Sequence, residues 1–368
     1  MKPFKVILSG GGTGGHIFPA VAIANEIKKM CPDTDILFVG ALGKMEMEKV
    51  PAAGYKIIGI PILGLQRRMT WQNLKLPFML YKSLKLAKQI IADFKPDVVV
   101  GTGGYASAPL LRAAISKGIP SLVQEQNSFP GITNRILANR CNKICVAYEG
   151  MEEYFPKEKI ILTGNPVRQD LKKVKALREE AVRHFNFSFN QKTVLVIGGS
   201  LGARTINEAI ETGIEEFVQN KIQLIWQTGK NYNVEAKLES HKFHDTGIVV
   251  RDFITDMNMA YAAADIVVSR AGASSVSELC NLEMPCILVP SPNVAEDHQS
   301  KNAMALVNKQ AAILVKDSEA KEHLVKKILE LSQSEKMQKQ LRENIKTLAF
   351  HDSANRIALE VMKLGGYA

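Results

Sequence analysis

The 368-residue chain lacks several features that would mark a secreted, membrane-spanning or disulfide-stabilised protein. It has five cysteines, an odd number, and no Cys-x-x-Cys pair, so neither a disulfide framework nor a zinc site is indicated. No apolar run approaches the roughly 18 residues of a membrane span, and the N-terminus enters a glycine-broken strand instead of a signal sequence. We therefore expect a cytoplasmic protein with reduced cysteines.

Low-complexity tracts are also missing, as is the Walker sequence Gly-x4-Gly-Lys-[Ser/Thr]. These absences argue against disorder and against a P-loop nucleotide hydrolase. Hydrophobic residues make up 46% of the chain and charged residues 23%, as in ordinary soluble globular proteins. A chain of this length is comfortable for two domains, each of which can bury its own core.

Negative charge is scarce in the first half of the chain. Residues 1–165 hold 21 Lys and Arg against 12 Asp and Glu, whereas residues 166–368 hold 26 against 25. The positive field of the N-terminal half indicates an anionic partner, with nucleic acid and an acidic membrane surface as the candidates. No nucleic-acid-binding motif is present and aromatic residues are few, so we expect no nucleic acid.

Short apolar segments rich in β-branched residues alternate with segments of helical periodicity along the whole chain. This is the βα rhythm of a doubly wound parallel sheet, and it occurs twice, which predicts an α/β protein of two Rossmann-like domains. Glycine and proline at residues 163–168 place the boundary between the two series. The predicted strands are residues 4–8, 36–39, 56–60, 98–100, 120–123 and 143–146, then 193–197, 222–227, 247–251, 265–269 and 286–289.

Glycine-rich loops follow four of the predicted strands, at residues 9–15, 101–105, 198–203 and 270–273. Ligands of open α/β sheets bind at the carboxyl ends of the strands. Because each series contributes two such loops, we expect the two domains to face a cleft that holds the ligands.

The first of these loops ends at His16 and joins a strand to a helix N-terminus. The first amides of a helix have no partner within the helix, and the dipole there favours negative groups and a neutral imidazole. A neutral His16 could accept a proton from a substrate hydroxyl, or it could only cap the first turn. The sequence pattern leaves both readings open.

Gly10, Gly12 and Gly15 also match Gly-x-Gly-x-x-Gly, the spacing of a dinucleotide site. Such a site needs an acidic residue at the end of the second strand, yet the strand ending at Val39 is followed by Gly-Ala. We therefore expect no NAD. The Asp-x-Asp sequence at residues 33–35 precedes a strand at the opposite edge of the sheet, so we also expect no metal there.

In the second series, residues 269–278 follow a strand and run into a helix. Glu278 lies two turns inside that helix, where its carboxylate could accept both hydroxyls of a ribose or could simply face solvent. Ser200 and the amides of residues 198–203 form a second anion cradle at another helix start. This pattern moves the expected nucleotide to the second domain.

Residues 62–92 combine six basic residues and no acidic one with large apolar side chains, which is typical of a segment that lies on an anionic membrane surface. An amphipathic core helix with a solvated basic face would show the same pattern. The basic residues are Arg67, Arg68, Lys75, Lys82, Lys85 and Lys88.

Together these stretches resemble the MurG family of bacterial glycosyltransferases along nearly the whole chain. The matching motifs occur in order, which makes the resemblance far more specific than any one of them. They are residues 11–16 (Gly-Gly-Thr-Gly-Gly-His), 101–105, 125–127 (Glu-Gln-Asn) with 130–134, 164–168 (Gly-Asn-Pro-Val-Arg), 198–202, 270–278, and 298–303.

The resemblance implies the glycosyltransferase type B fold and transfer of N-acetylglucosamine from UDP-GlcNAc to lipid I, an undecaprenyl diphosphoryl MurNAc pentapeptide, giving lipid II for peptidoglycan. It implies peripheral attachment to the cytoplasmic face of the membrane, and through the cell wall a link to cell shape and division. The last helix would cross back onto the first domain, so that residues 1–163 with 350–368 form the acceptor domain and residues 164–349 the donor domain.

The resemblance also implies roles for particular residues. His16 would be the catalytic base, with Thr13, Gly14, Gly15, Tyr105 and Asn127 on the acceptor side. Glu278 would bind the ribose and the backbone of Ile254 the uracil. The diphosphate and sugar would lie near Arg168, Ser200, Ala273, Ser274, Ser275, His298 and Gln299.

On this basis we expect an inverting single displacement without a metal or other cofactor, in which His16 takes the proton from the C4 hydroxyl of MurNAc. Two alternatives share the fold. One is a UDP-GlcNAc epimerase or hydrolase that needs no lipid, and the other is a non-catalytic adaptor that binds nucleotide sugars at the membrane.

Overall fold

The computed structural model describes residues 3–62, 76–199, 201–243 and 246–367. The chain forms two compact units, Met1–Val167 with Phe350–Ala368 and Arg168–Ala349, called here the first and the second unit. Each unit has its own parallel β-sheet and its own hydrophobic core. The predicted double βα rhythm is confirmed.

The first unit is built on a parallel sheet with the strand order β3-β2-β1-β4-β5-β6-β7. Its central strands consist mainly of Val, Ile and Leu and are buried on both faces, as in other all-parallel sheets. Because β1, β4 and β5 are neighbours, the loops after them lie at one edge of the sheet. The strands are β1 (Lys5–Gly10), β2 (Asp35–Ala41), β3 (Lys56–Ile60), β4 (Val98–Gly103), β5 (Ser121–Glu125), β6 (Lys143–Val146) and β7 (Ile160–Leu162).

Helices cover both faces of this sheet. On one face the first helix of the chain packs with the last, and Ile23 and Ile357 are completely buried in the same cluster. On the other face Ile91 and Leu110 belong to a second buried cluster. The helices of the first unit are α1 (Gly14–Met30), α2 (Glu46–Ala52), α3 (Leu76–Phe94), α4 (Ser107–Ser116), α5 (Ile132–Ala138) and α15 (Ser353–Leu364).

The second unit has a parallel sheet with the order β10-β9-β8-β11-β12-β13. Its core centres on Trp226, which is fully buried and donates from Nε1 to Asn207 Oδ1 at 3.1 Å. That bond satisfies the one polar atom of a large apolar ring. The strands are β8 (Thr193–Ile197), β9 (Gln223–Gln227), β10 (Ile248–Arg251), β11 (Ile266–Ser269), β12 (Cys286–Leu288) and β13 (Ile313–Leu314).

The helices of the second unit fill the connections between these strands. They are α6 (Arg178–His184), α7 (Arg204–Thr212), α8 (Ile214–Gln219), α9 (Asn233–Ser240), α10 (Met257–Ala263), α11 (Ala273–Leu282), α12 (His298–Val307), α13 (Ala320–Gln333) and α14 (Glu335–Lys346). The loops after β8 and β11 lead directly into α7 and α11. Because β8 and β11 are neighbouring parallel strands, the N-termini of both helices lie at the same edge of the sheet.

The structure differs from the sequence-based expectation at a few segment ends. The periodicity does not predict β7 or β13, because these strands are only 3 and 2 residues long. After residue 168 the chain forms a 3-10 segment, Gln169–Leu177, and becomes α-helical only in α6. Within the described ranges, no helix is both long enough and apolar enough to cross a membrane.

Candidate active site

In the first unit, the loop that leads to His16 leaves β1 at Gly10 and enters α1 at Gly14. Thr13 caps the helix in an extended conformation, and the amides of His16 and Ile17 both donate to its carbonyl. Among the described residues, none accepts a hydrogen bond from the amides of Gly14 and Gly15. Thr13 is exposed and His16 half-buried. Free amides at the positive end of a helix can therefore receive an anionic group beside His16.

The earlier glycines of this loop serve the packing of the protein itself. A Cβ at Gly10 would overlap the hydroxyl of Thr102, and a Cβ at Gly11 would overlap the carboxylate of Glu46. Glu46 is fully buried and accepts hydrogen bonds from Gly12 N at 2.9 Å and Ala41 N at 3.0 Å. The chain's own carboxylate thus occupies the start of the loop.

The imidazole of His16 lies against the last residues of β4. A Cβ at Gly103, whose φ is +101°, would come within 2.9 Å of His16 Cε1. His16 Nδ1 is 3.0 Å from Gln126 Oε1, at the end of β5, and Thr102 Oγ1 donates to the His16 carbonyl at 2.7 Å. The ends of β4 and β5, both distant from His16 in sequence, therefore hold this residue in place.

Two of the other expected acceptor residues follow neighbouring strands. Tyr105 comes after β4 and is 51% exposed, so its ring is available to a ligand. Asn127 comes after β5, and its backbone N and Nδ2 both donate to Glu125 Oε1, at 3.0 and 3.2 Å. The buried Glu125 also accepts from Gly131 N and from Asn134 Nδ2, which holds this loop closed on itself.

In the second unit, a cavity of about 410 Å³ lies where α7 and α11 begin. Ser275 and Gln299, both expected at the donor site, line it, whereas Ala273 and Ser274 lie in the same first turn of α11 but not among the lining residues. The full lining is Gly198, Gly199, Gly202, Ala203, Arg204, Thr205, Arg270, Gly272, Ser275, Ser291, Asn293, Gln299 and Asp317. A cavity at two helix N-termini suits a phosphate or diphosphate.

The polar side chains of this cavity are held by one another. Arg270 donates from Nη1 to Asp317 and to the carbonyl of Val289, and Thr205 donates to the second oxygen of Asp317 at 3.1 Å. Gln299 Oε1 accepts from Ser291 N at 2.9 Å, which turns the amide nitrogen of Gln299 to the other side. The guanidinium and the amide are therefore oriented before any ligand binds.

Glu278 is 16% exposed, and both of its carboxylate oxygens have partners. Oε2 accepts from the hydroxyl of Tyr261 at 2.9 Å, and Oε1 lies 3.4 Å from Arg168 Nε. Burial raises the pKa of the Tyr261 phenol well above its ordinary value, and the Glu278 charge raises it further. Tyr261 therefore stays a neutral hydrogen-bond donor to the carboxylate.

The amide of Ile254, expected at the uracil, donates to Gln227 Oε1 at 2.9 Å. Gln227 is 4% exposed and donates in turn to the carbonyl of Gly199 at 3.1 Å, so it links the 198–203 loop to the segment after β10. A base bound beside Ile254 would use its carbonyl or displace Gln227. His298 is the first residue of α12 and is half-buried, and Ser200 lies outside the described residues.

The predicted membrane segment is described only in part, because residues 63–75 fall outside the described ranges. Within α3, Phe78 is 61% exposed and Tyr81 66%. The ammonium of Lys82 lies 4.4 Å from the centre of the Phe78 ring, and Lys85 is exposed one turn further along. Aromatic and basic side chains thus share one exposed face of this helix.

Family comparisons agree with the architecture. The chain matches the glycosyltransferase family 28 N-terminal domain over residues 6–146 and the family 28 C-terminal domain over residues 193–357. The two-sheet fold and these matches define a family 28 glycosyltransferase with the type B fold, as expected from the sequence.

Full-length relatives narrow this class. The UDP-N-acetylglucosamine--N-acetylmuramyl-(pentapeptide) pyrophosphoryl-undecaprenol N-acetylglucosamine transferase of Phocaeicola vulgatus is 56% identical and covers 98% of this chain and 96% of its own length. The Parabacteroides distasonis protein of the same name is 53% identical and covers 99% of both chains. The crystal structure of Acinetobacter baumannii MurG has a TM-score of 0.79 at 25% identity, covering 98% of this chain and all of its own. The chain belongs to the MurG family.

A UDP-N-acetylglucosamine 2-epimerase structure also shares the fold, with a TM-score of 0.68 at 15% identity, 100% coverage of this chain and 98% of its own. At that identity the likeness concerns the fold alone. The epimerase alternative is not favoured, because the relatives at 53% identity or more carry the transferase name.

Sequence reasoning missed four residues that position the expected site residues. Gln126 and Glu46 support the His16 loop, and Tyr261 and Gln227 support the donor residues. Gln126 lies inside the matched Glu-Gln-Asn motif, so a signal existed there. The other three act through contacts between elements distant in sequence, which spacing does not reveal.

Proposed function

We infer that this chain is an N-acetylglucosaminyltransferase that moves GlcNAc from UDP-GlcNAc to the C4 hydroxyl of the MurNAc of lipid I, producing lipid II for peptidoglycan. The observation that carries this inference is 53% to 56% identity over 98% to 99% of the chain with transferases of that name. Through the cell wall, we expect this reaction to contribute to cell shape and division.

We assign the acceptor to residues 1–163 with 350–368. In this assignment His16 Nε2 accepts the proton of the C4 hydroxyl while that oxygen bonds to the anomeric carbon and UDP leaves, with inversion of configuration. The open amides of Gly14 and Gly15 would contact the acceptor diphosphate, and Thr13, Tyr105 and Asn127 would line its path. The support is the free helix N-terminus beside a firmly held imidazole.

We assign UDP-GlcNAc to residues 164–349. The cavity at the start of α7 and α11 would hold the diphosphate and sugar, with Ser275 and Gln299 in its wall. Glu278 would accept the ribose hydroxyls and Ile254 would contact the uracil. The remaining donor residues of this proposal are Arg168, Ser200, Ala273, Ser274 and His298. Helix amides and Arg168 would stabilise the charge that grows on the leaving diphosphate.

A transfer assay with UDP-GlcNAc and a short-chain lipid I analogue tests the reaction. We expect product with inverted stereochemistry at the anomeric carbon, whereas epimerised or hydrolysed sugar nucleotide without transfer would contradict the proposal. His16→Ala should lower kcat by about 10²- to 10⁴-fold while leaving UDP-GlcNAc affinity largely intact. Near-normal turnover in that variant would remove His16 as the base.

We further propose that the protein lies peripherally on the cytoplasmic face of the inner membrane through residues 62–92. The exposed Phe78, Tyr81, Lys82 and Lys85 on α3 support this, because aromatic rings can insert at the interface and lysines attract anionic lipid.

Vesicle binding measures this attachment directly. We expect binding to vesicles containing anionic lipid that weakens as salt is raised. Replacing both Lys82 and Lys85 by methionine should weaken it by about 2 kcal/mol, roughly thirtyfold. The same replacement of the exposed Lys336 and Lys339 on α14 is the matched control. Equal loss in both double variants, or no binding of the unmodified protein, would contradict the assignment to α3.

A further inference from the structure

A continuous set of buried amide groups ends at the imidazole of His16. Gln126 is 1% exposed and Gln124 is completely buried, and both belong to the first unit together with Asn165. Asn165 is 4% exposed and lies in the 164–168 segment, far along the chain from His16. In a group of neighbouring buried amides, each donor is expected to face an acceptor. The orientation of each amide can therefore be worked out from its neighbours.

The orientation of Gln126 follows from what surrounds its two ends. Its amide nitrogen lies 2.7 Å from the carbonyl of Thr102 and 3.1 Å from that of Gln124. Both groups are backbone carbonyl oxygens, which can only accept a hydrogen bond. The nitrogen of Gln126 must therefore point to them, and its Oε1 must point to His16 Nδ1, 3.0 Å away.

The next two amides reinforce this direction. Gln124 donates from Nε2 to Asn165 Oδ1 at 3.0 Å, which leaves Gln124 Oε1 to accept from Gln126 Nε2. Asn165 donates from Nδ2 to the Gln126 carbonyl at 2.9 Å. Reversing any one of these amides would place a donor against a donor or an acceptor against an acceptor. The set therefore has one consistent orientation.

We propose that Gln126 is a positioning residue that fixes the tautomer of His16, with the proton on Nδ1 and the lone pair on Nε2. An imidazole with a lone pair on Nδ1 would face the Gln126 oxygen at 3.0 Å, acceptor against acceptor. No described residue hydrogen-bonds Nε2, which is left to accept a proton. This inference rests on the proposed function only for its catalytic consequence, since the tautomer itself is a property of the free protein.

Nitrogen NMR of protein labelled at its seven histidines tests the tautomer without any assay of activity. The His16 signals are assigned by their loss in His16→Gln. At mildly alkaline pH we expect His16 to show a protonated Nδ1 and an unprotonated Nε2. A protonated Nε2, or an averaged mixture of the two forms, would overturn the proposal.

Gln126→Met keeps the volume of the side chain and removes the acceptor. We expect the His16 signals to shift to a tautomer mixture and kcat to fall about tenfold, with the KM for UDP-GlcNAc unchanged, because one hydrogen bond no longer selects the reactive form. Gln338→Met is the matched control. Gln338 is 5% exposed and, like Gln126, donates to two backbone carbonyls, at 2.8 and 3.1 Å, but it lies in the second unit.

The outcomes separate this inference from the proposed function. A fixed Nδ1–H tautomer together with normal turnover in His16→Ala would refute His16 as the base and leave the role of Gln126 in the tautomer intact. A mixed tautomer in the unmodified protein with inactive His16→Ala would refute only the inference. If Gln126→Met does not fold, the spectrum of the unmodified protein still tests the tautomer, and a protonated Nε2 or a mixture would overturn the proposal.

Discussion

Replacing Tyr261 by phenylalanine should weaken UDP-GlcNAc binding although Tyr261 is 2% exposed and is not itself assigned to the ligand. The substitution removes one oxygen atom and leaves the ring in the core. Its hydroxyl donates to Glu278 Oε2 at 2.9 Å, and Glu278 is the residue assigned to the ribose. The experiment therefore asks how much of ribose binding depends on a carboxylate that is held in place.

Two contacts of Glu278, those with Arg168 and Tyr261, differ in strength. The pair with Arg168 is 3.4 Å long and Arg168 is 41% exposed, so solvent reduces its contribution to about 0 to 1 kcal/mol. The hydrogen bond from the buried phenol to a carboxylate is worth about 1.5 to 3 kcal/mol. Tyr261 is thus the stronger anchor of Glu278. Turning Arg168 to the diphosphate gives up the weaker of these two contacts, whereas Tyr261→Phe removes the stronger one.

We expect Tyr261→Phe to raise the KM for UDP-GlcNAc about tenfold with a smaller change in kcat, since ribose contacts are made equally in the ground state and the transition state. Glu278→Ala should raise the KM at least as much. In the double variant the two effects should not add, because the phenol acts through the carboxylate. Steady-state kinetics on the four proteins, with thermal unfolding as a check on folding, measures this.

Two results would refute the reasoning at different points. An unchanged KM in Tyr261→Phe beside a raised KM in Glu278→Ala would mean that Glu278 needs no anchor. An unchanged KM in both would mean that Glu278 does not bind the ribose. Fully additive effects would place the action of Tyr261 somewhere other than on Glu278.

Three further predictions follow from buried ionisable groups. Glu46→Gln should lower the free energy of unfolding by about 2 kcal/mol, since one of two backbone amides loses its acceptor; Glu48→Gln, at an exposed neighbour, is the control, and equal effects in denaturant unfolding would contradict this. Burial raises the pKa of the Cys141 thiol to about 11, and it also raises the pKa values of the other core thiols. Ellman's reagent should therefore react quickly with Cys31 alone in native protein. A second fast-reacting thiol would contradict the burial of the other four. The raised pKa of Tyr261 keeps the folded phenol protonated, so its contribution to stability is present below about pH 10 and is lost as pH rises further; Tyr261→Phe should lose stability less steeply in that range, and parallel pH curves would refute it.

The regular part of the fold could be predicted from sequence because it depends on local pattern. The buried strands β1, β8 and β9 are continuous runs of apolar residues between glycine and polar segments, which is the pattern of a parallel sheet. The short strand β13 has too few residues to show a period. The packing of α15 in the first unit also cannot be predicted from the local pattern. Its apolar face indicates that the helix packs against other elements but does not identify them.

The candidate site divides in the same way. His16 and Glu278 follow glycine-rich turns at strand ends, so their positions on helices can be inferred from spacing. Gln126 and Tyr261, which hold them, come from elements more than 100 and 17 residues away, respectively. Strand order and helix packing determine which residues become such partners. Neither can be read from the local pattern of a single sequence.

The loop at residues 10–15 shows how structure changes the meaning of a motif. Its Gly-x-Gly-x-x-Gly spacing would fit a dinucleotide, whose pyrophosphate lies at the helix N-terminus and approaches the backbone at the second glycine, which here is Gly12. Here the Glu46 carboxylate accepts a hydrogen bond from the Gly12 amide at 2.9 Å, and a Cβ at Gly11 would overlap that carboxylate. A second anion at this point would meet a buried negative charge and find its donor already used. Among the described residues, none accepts a hydrogen bond from the amides of Gly14 and Gly15, next to His16. We therefore propose that the motif places an anionic group beside the imidazole.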